Sequence, residues 1–188
     1  IDLAGFTISQ DGALNDYLMW FKNDGAKANT ITLKNGTLDA GTTAYSALAT
    51  ASSNAQKITV NLENINVINN NSNGAALKIR AGAELNVKVG TEITGKDSYL
   101  GIECWAATVN IYDGAKIKMN GTSSYNGCLA GVSGNGTINV YGGEFNNVEI
   151  NDEFSGVAYA NNQEQLNAAL QNVNTHTIML GAGEFKAD

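Results

Sequence analysis

The sequence predicts an all-β fold, a parallel β-helix (solenoid) of about six coils with a short C-terminal helix. Three observations predict it. An apolar–polar–apolar triplet followed by a turn recurs along the 188 residues, with first positions at 1, 31, 58, 85, 109 and 138, and a fixed period in this range marks a stacked-repeat architecture. Each triplet alternates with period two, the pattern of a strand with one buried face. The chain has 21 Gly and no Pro, and Asn makes up about one residue in seven. Gly and Asn accept the left-handed backbone of sharp corners, whereas Pro lacks the N–H that each rung donates to the next.

The triplets align as columns. The first apolar column reads Ile1, Ile31, Ile58, Leu85, Val109, Ile138 and Ile178, and the second Leu3, Leu33, Val60, Val87, Ile111, Val140 and Leu180. Between them runs a polar column, Asp2, Thr32, Thr59, Asn86, Asn110 and Asn139. A third apolar column follows the turn: Ile8, Leu38, Ile65, Ile93, Ile117, Phe145 and Phe185. A segment before the triplet completes the coil, as at Tyr17 to Phe21, Ser46 to Leu48, Ala75 to Leu77, Tyr99 to Ile102 and Cys128 to Ala130. One repeat cannot bury its inward face alone, and stacking makes the core continuous. Leucine-rich repeats need L-x-x-L-x-L spacing, which Ile/Val-x-Ile/Val followed by Gly does not supply. A β-sandwich would not hold one residue class in register through five to seven repeats.

Two phrases carry a family resemblance. Ile1-Asp2-Leu3-Ala4-Gly5-Phe6-Thr7-Ile8 resembles the D-L-N-G-x-T-I phrase of pectate-lyase-like right-handed β-helix proteins. Gly136-Thr137-Ile138-Asn139-Val140-Tyr141-Gly142-Gly143 is similar to the repeats of bacterial surface proteins and phage fibre or tailspike proteins. The resemblance implies a right-handed coil and says little about activity, because these phrases are coil-forming pieces.

Residues 1–150 read as coils and 151–188 as a distinct unit. Asn162 is placed to cap a helix with Gln165 at the box position, and Leu166, Ala169, Leu170 and Val173 share one helical face. The strand Thr177 to Leu180 follows. This helix-then-strand unit resembles the entry of pectate-lyase-like domains, which caps their first coil. Here it reads as a cap on the last coil or as the start of a second β-helix in a longer protein. Covering the last coil falls to Leu166, Leu170 and Val173, while Ile1, Leu3 and Ile8 of the first coil are expected to meet other chains, other copies or upstream sequence.

Charge and motif content narrow the function. A net charge of -7 with a single Arg makes a poor phosphate clamp, which excludes nucleic acid as a partner. No apolar run approaches the ~20 residues of a spanning helix, so membrane insertion is not expected. Cys104 and Cys128 lack metal-ligand spacing, and their positions relative to their triplets set them too far apart to pair. The family's lyases use clustered Asp for Ca²⁺ with an Arg or Lys base, and related hydrolases use paired Asp. Here Arg80 and His176 stand about a hundred positions apart, and Asp97, Glu103 and Asp113 are the nearest carboxylates in the coil. Arg80 reads as the partner of Glu103 one coil on, and Asn151-Asp152-Glu153 as a solvated turn. No cofactor, metal site or catalytic residue is expected.

The aromatic residues point elsewhere. Tyr112 and Tyr141 follow Asn110 and Asn139 on the outward side of their strands, aligned with Lys34, Asn61 and Lys88, and are expected to stack. Rings and amides together suit a sugar surface. Trp105 and Trp20 are placed near coil corners. The resulting expectation is a non-enzymatic attachment or structural segment of an extracellular protein, on a cell surface or a virion. Its glycan-binding candidates are Tyr112, Tyr141, Asn110, Asn139, Trp105 and Trp20. The alternative is a polysaccharide lyase or hydrolase whose catalytic coils lie outside the segment.

Overall fold

A computed structural model of the chain describes residues 1–10, 16–52, 57–96, 101–120, 136–146, 157–160, 162–171, 177–180 and 184–186. The strands are β1 (Thr7–Ser9), β2 (Tyr17–Asn23), β3 (Asn29–Asp39), β4 (Ser46–Ser52), β5 (Ile58–Ile68), β6 (Leu77–Ile79), β7 (Ala83–Val87), β8 (Glu92–Lys96), β9 (Ile102–Cys104), β10 (Thr108–Ile111), β11 (Lys116–Asn120), β12 (Thr137–Val140), β13 (Glu144–Asn146), β14 (Val157–Ala160) and β15 (Thr177–Leu180), with one helix, α1 (Gln163–Gln171). Every described pairing between strands is parallel. The architecture is the predicted β-solenoid.

Two stacks of strands wrap the core. One runs β3, β5, β7, β10, β12 and, beyond a corner, β1, β3, β5, β8, β11, β13; the other runs β2, β4, β6, β9. Strands β3 and β5 belong to both branches because they pass through the corner unbroken. There Asn35 and Asn64 adopt φ of 58° and 49°, left-handed values that Asn tolerates better than most residues. In later coils the corner is a separate turn, and Gly90 and Gly114 take φ of 75° and 76°. A Cβ on Gly114 would stand 2.7 Å from Val89 Cγ2.

Among the described residues the solenoid makes about four turns, against the six expected. Four strands form the second stack, and the segment that would face β12 there falls at 121–135, outside the described residues. Ile178 and Leu180 do not extend the columns. They lie on β15, which pairs with β14 as a separate two-stranded sheet, and Phe185 enters no described strand.

The register corrects the columns at two coils. Ile31 pairs with Val60, Leu85, Val109 and Ile138 in succession, and Leu33 with Leu62, Val87, Ile111 and Val140. Val60 therefore belongs to the first column and Leu62 to the second, two places on from the expected alignment. The third column contains Val67, since Ile65 sits opposite Gly36. In the first coil Asp2 lies opposite Lys34, which puts Asp2 outside the Asn column. The cause is the run Ile58-Thr59-Val60-Asn61-Leu62, whose alternation offers two equivalent triplets, and the corner at Asn64 selects the later one.

The inward columns form one core. Leu33, Leu62, Val87, Ile111, Leu85, Val109, Leu38, Val67, Ile93 and Ile117 are fully buried, with Leu48, Leu77 and Ile102 facing them from the second stack. Full burial of each such side chain contributes about 1.5–3 kcal/mol. Two polar side chains inside bond backbone carbonyls: Asn69 donates to those of Ala44 and Ala75, and Ser46 Oγ to that of Ala75 at 2.8 Å. Of the first coil, Ile1 is exposed but Leu3 is buried. Helix α1 begins as expected, with Gln165 N–H donating to Asn162 Oδ1 at 2.9 Å. It packs on β14 and β15 through buried Ala169, while Leu170 points to solvent rather than covering a coil. Val173, His176, Cys128, Asp97 and residues 151–153 lie outside the described residues.

Candidate functional site

Outward-facing residues of the first stack form three parallel ladders, each with one side chain per rung at about 4.8 Å spacing. The outermost is Thr30, Thr59, Glu84, Thr108 and Thr137, and the middle one is Thr32, Asn61, Asn86, Asn110 and Asn139. The third begins with the pair Lys34 and Glu63. It continues through Lys88, Tyr112 and Tyr141, whose backbone N–H groups bond the preceding rungs at Leu62, Val87 and Ile111.

The Asn ladder is a continuous chain of amides. Asn61 donates to Thr32 Oγ1 at 3.3 Å, Asn86 to Asn61 Oδ1 at 2.9 Å, Asn110 to Asn86 Oδ1 at 2.9 Å and Asn139 to Asn110 Oδ1 at 2.8 Å. Each middle amide both gives and accepts, which a carboxamide does and a carboxylate cannot. Asn86 and Asn110, in the middle of the row, are buried. Glu84 ties the flank: Lys57 donates to one carboxylate oxygen and Asn86 to the other. The Lys57 bond, helped by that of Asn86, holds the Glu84 carboxyl below the usual glutamate range.

The third ladder changes character along its length. Asp2 pairs with Lys34 at 3.5 Å and Glu63 with Lys88 at 2.7 Å. After Lys88 the charges stop and the rings begin. Tyr112 and Tyr141 stack with centroids 5.2 Å apart and planes 21° from parallel, and Tyr141 is 58 % exposed. The aromatic pair and Asn139 therefore share one flat face.

The six sequence candidates divide between two faces. Tyr112, Tyr141, Asn110 and Asn139 lie together on the first stack. Trp20 is on β2 of the second stack, in mid-strand rather than at a corner, exposed and edge-on to Tyr17 at 6.0 Å. Trp105 follows β9, with the Arg80 guanidinium 5.3 Å over its ring. The expected alignment set Asn61 in the tyrosine ladder, but Glu63 stands there opposite Lys34 and Asn61 belongs to the Asn ladder; Glu63, Lys57 and Glu84 were not read from the sequence, the first hidden by the two-place register shift and the others marked by no local pattern.

A shallow groove of about 440 Å³ at the corner is lined by Asn35, Asn64, Asn66, Thr37 and glycines, a neutral set with no general acid or base. Among the described residues no three His, Cys, Asp or Glu converge as metal ligands, and no helix is long and apolar enough to cross a membrane.

A family model described as "Putative auto-transporter adhesin, head GIN domain" matches residues 24–174. No curated protein and no solved structure matches the chain.

Proposed function

Because the chain belongs to the auto-transporter adhesin head GIN-domain family, whose model covers most of its length, we propose that it is an extracellular attachment domain of a cell-surface protein that binds a glycan through the tyrosine–asparagine face. The observation that carries this reading is the stacked, exposed pair Tyr112–Tyr141 beside Asn139. Apolar ring faces stack on the C–H faces of sugars, and an amide or phenol bonds hydroxyls. The adhesin family favours a cell surface over a virion. The face is flat and preformed, which lowers the ordering cost of binding.

Association with other copies or other chains belongs to the same reading. Ile1, Phe6 and Trp20 are exposed on the first coil, where β1 and β2 each pair on one side only among the described strands. Such edges template further pairing.

A glycan array with the wild-type chain and with Tyr112→Ala/Tyr141→Ala tests the binding role. The expected result is a restricted set of bound saccharides that the double variant loses. An array with no bound saccharide, or one that the double variant reproduces, would refute it.

A further inference from the structure

We propose that the corner groove is a second sugar subsite, for an uncharged pyranose, and that a glycan held by the tyrosine face runs on into it along the solenoid axis. The inference rests on the glycan reading above and adds to it the charge class and the length of the ligand. The groove measures about 440 Å³, within the roughly 300–1,000 Å³ of ligand clefts.

Its polar groups do two different jobs. Asn35 and Asn64 hold the corner: Asn64 donates to Asn35 Oδ1 at 3.1 Å, and Asn35 donates to both carboxylate oxygens of Asp2 at 3.1 Å. This chain of amides runs one way and ends at Asn64 Oδ1. A Cβ on Gly90 would stand 3.0 Å from that oxygen, so the glycine keeps the acceptor uncovered. Asn66 and Thr37 are rung partners on β5 and β3, the first exposed and the second half-buried. Among the described residues neither side chain enters a hydrogen bond. Together they present an amide, a hydroxyl and a carbonyl oxygen to one concavity, and a sugar hydroxyl, which both gives and accepts, matches that set.

The lining carries no charge. Lys34 and Lys88, in the ladder beside it, are engaged by Asp2 and Glu63, and the chain as a whole carries a net charge of -7. A carboxylated sugar would give up water for a neutral lining in a negative field, whereas a neutral sugar would not.

The groove and the tyrosines share one line. Lys34, Glu63, Lys88, Tyr112 and Tyr141 occupy successive rungs, and the corner residues Asn35 and Asn64 directly follow Lys34 and Glu63. On the rung before Tyr112 the corner carries Val89, exposed and close enough to Gly114 that a Cβ there would stand 2.7 Å from its Cγ2. Its apolar surface joins the groove to the rings. Four rung spacings of ~4.8 Å separate the Asn35 rung from the Tyr141 rung, about 19 Å in all, a span for an oligosaccharide and too long for a disaccharide.

The test titrates the wild-type chain with cellohexaose, mannohexaose and chitohexaose, with the matching disaccharides and with hexagalacturonate, read by calorimetry and by amide chemical shifts. At least one neutral hexasaccharide is expected to bind saturably, with its disaccharide about tenfold weaker, the loss of about two neutral hydrogen bonds. Hexagalacturonate is expected to bind more weakly than the neutral hexasaccharide. The hexasaccharide should shift the amides of Gly5, Asn66 and Gly90 as well as that of Tyr112, and the disaccharide only those around Tyr112 and Tyr141. Thr37→Val/Asn66→Ala removes two outward polar groups and should weaken the hexasaccharide about tenfold, leave the disaccharide unchanged and keep the circular dichroism of the wild type. The shift map needs no variant and decides the matter should this one fail to fold. The proposal is overturned if no neutral hexasaccharide binds at millimolar concentration, if the disaccharides or hexagalacturonate bind as tightly, or if the groove amides do not shift. Binding lost in Tyr112→Ala/Tyr141→Ala but kept in full by Thr37→Val/Asn66→Ala would overturn the groove and leave the tyrosine face standing, and the reverse pattern would overturn the tyrosine face and leave the groove.

Discussion

Asn110 donates its amide to Asn86 Oδ1 at 2.9 Å and accepts from Asn139 at 2.8 Å, so it bonds in both directions along the solenoid axis. Its burial makes both bonds hard to replace with water. Asn110→Ala should destabilise the fold by about 1–3 kcal/mol, because it orphans the buried Asn86 side-chain carbonyl on one side and the half-buried Asn139 amide on the other. Asn110→Asp should cost more at neutral pH, since a carboxylate cannot donate to Asn86. Urea denaturation of the two variants checks the order, and an Asp variant as stable as the wild type would contradict it.

Gly36 and Gly41 separate two uses of glycine. A Cβ on Gly36 would lie 2.5 Å from Leu3 Cβ and 2.5 Å from the Phe6 carbonyl, whereas Gly41, at φ +62°, has nothing within 4 Å. Gly36→Ala must move the first coil and should cost several times more than Gly41→Ala, which meets only the left-handed backbone penalty of about 1–2 kcal/mol. Thermal melting of both variants is the measurement. Equal losses would mean that the first coil does not pack on Gly36.

Cys104 is buried, and burial pushes its thiol up to about 11 from 9.0, against smaller opposing bonds to the Ala107 and Thr137 carbonyls. The thiol should resist alkylation in the native protein at pH 8 and react on unfolding, as peptide mass mapping would show. The unfolded state loses its proton first, so stability should fall as pH rises from about 9 to 11. Cys104→Ala should lack that component of the alkaline loss.

Glu84 gives the opposite limb. Its carboxyl is held below the ordinary 4.5 by Lys57 and Asn86, so its contribution is present above that value and lost as pH falls through the lower folded one. Glu84→Gln should flatten the acid side of the stability profile between pH 5 and the folded value. Added salt should shrink the difference from wild type, since Lys57 is half exposed. A profile unchanged by the substitution would mean that the ion pair is not formed in solution.

Alternation and corners were enough to read the solenoid from the sequence. Ile31, Leu85, Val109 and Ile138 stand where the repeat puts them, because each is followed within about five places by a residue that takes left-handed φ, Asn35, Gly90, Gly114 and Gly143. The run from Ile58 to Leu62 defeated that logic. Its period-two pattern is satisfied by two registers, and only the alignment of Asn64 with Asn35, cemented by an amide bond of 3.1 Å, distinguishes them. The Asn ladder and the Tyr112–Tyr141 stack were legible because they lie in later coils whose register was correct. The Arg80–Glu103 pair was legible as a contact but not as a buried one, since burial there depends on how tightly the second stack is flanked. The helix start was readable from Asn162, but its packing direction was not: Leu170 faces solvent although its spacing matches that of Ala169.

The most direct test of the central claim is quantitative binding to the highest-ranked saccharide from the array, compared across wild type, Tyr141→Ala and Tyr141→Phe. Phe keeps the ring stacked on Tyr112 and removes only the hydroxyl, while Ala removes the platform. Loss of one stacked ring should cost about 1–2 kcal/mol, or roughly 5- to 30-fold in Kd, so the account predicts that order of loss for Ala, a smaller loss for Phe, and melting temperatures that stay close to wild type. A saccharide bound equally by wild type and Tyr141→Ala, with both proteins folded, would contradict the assignment of the attachment surface to this face.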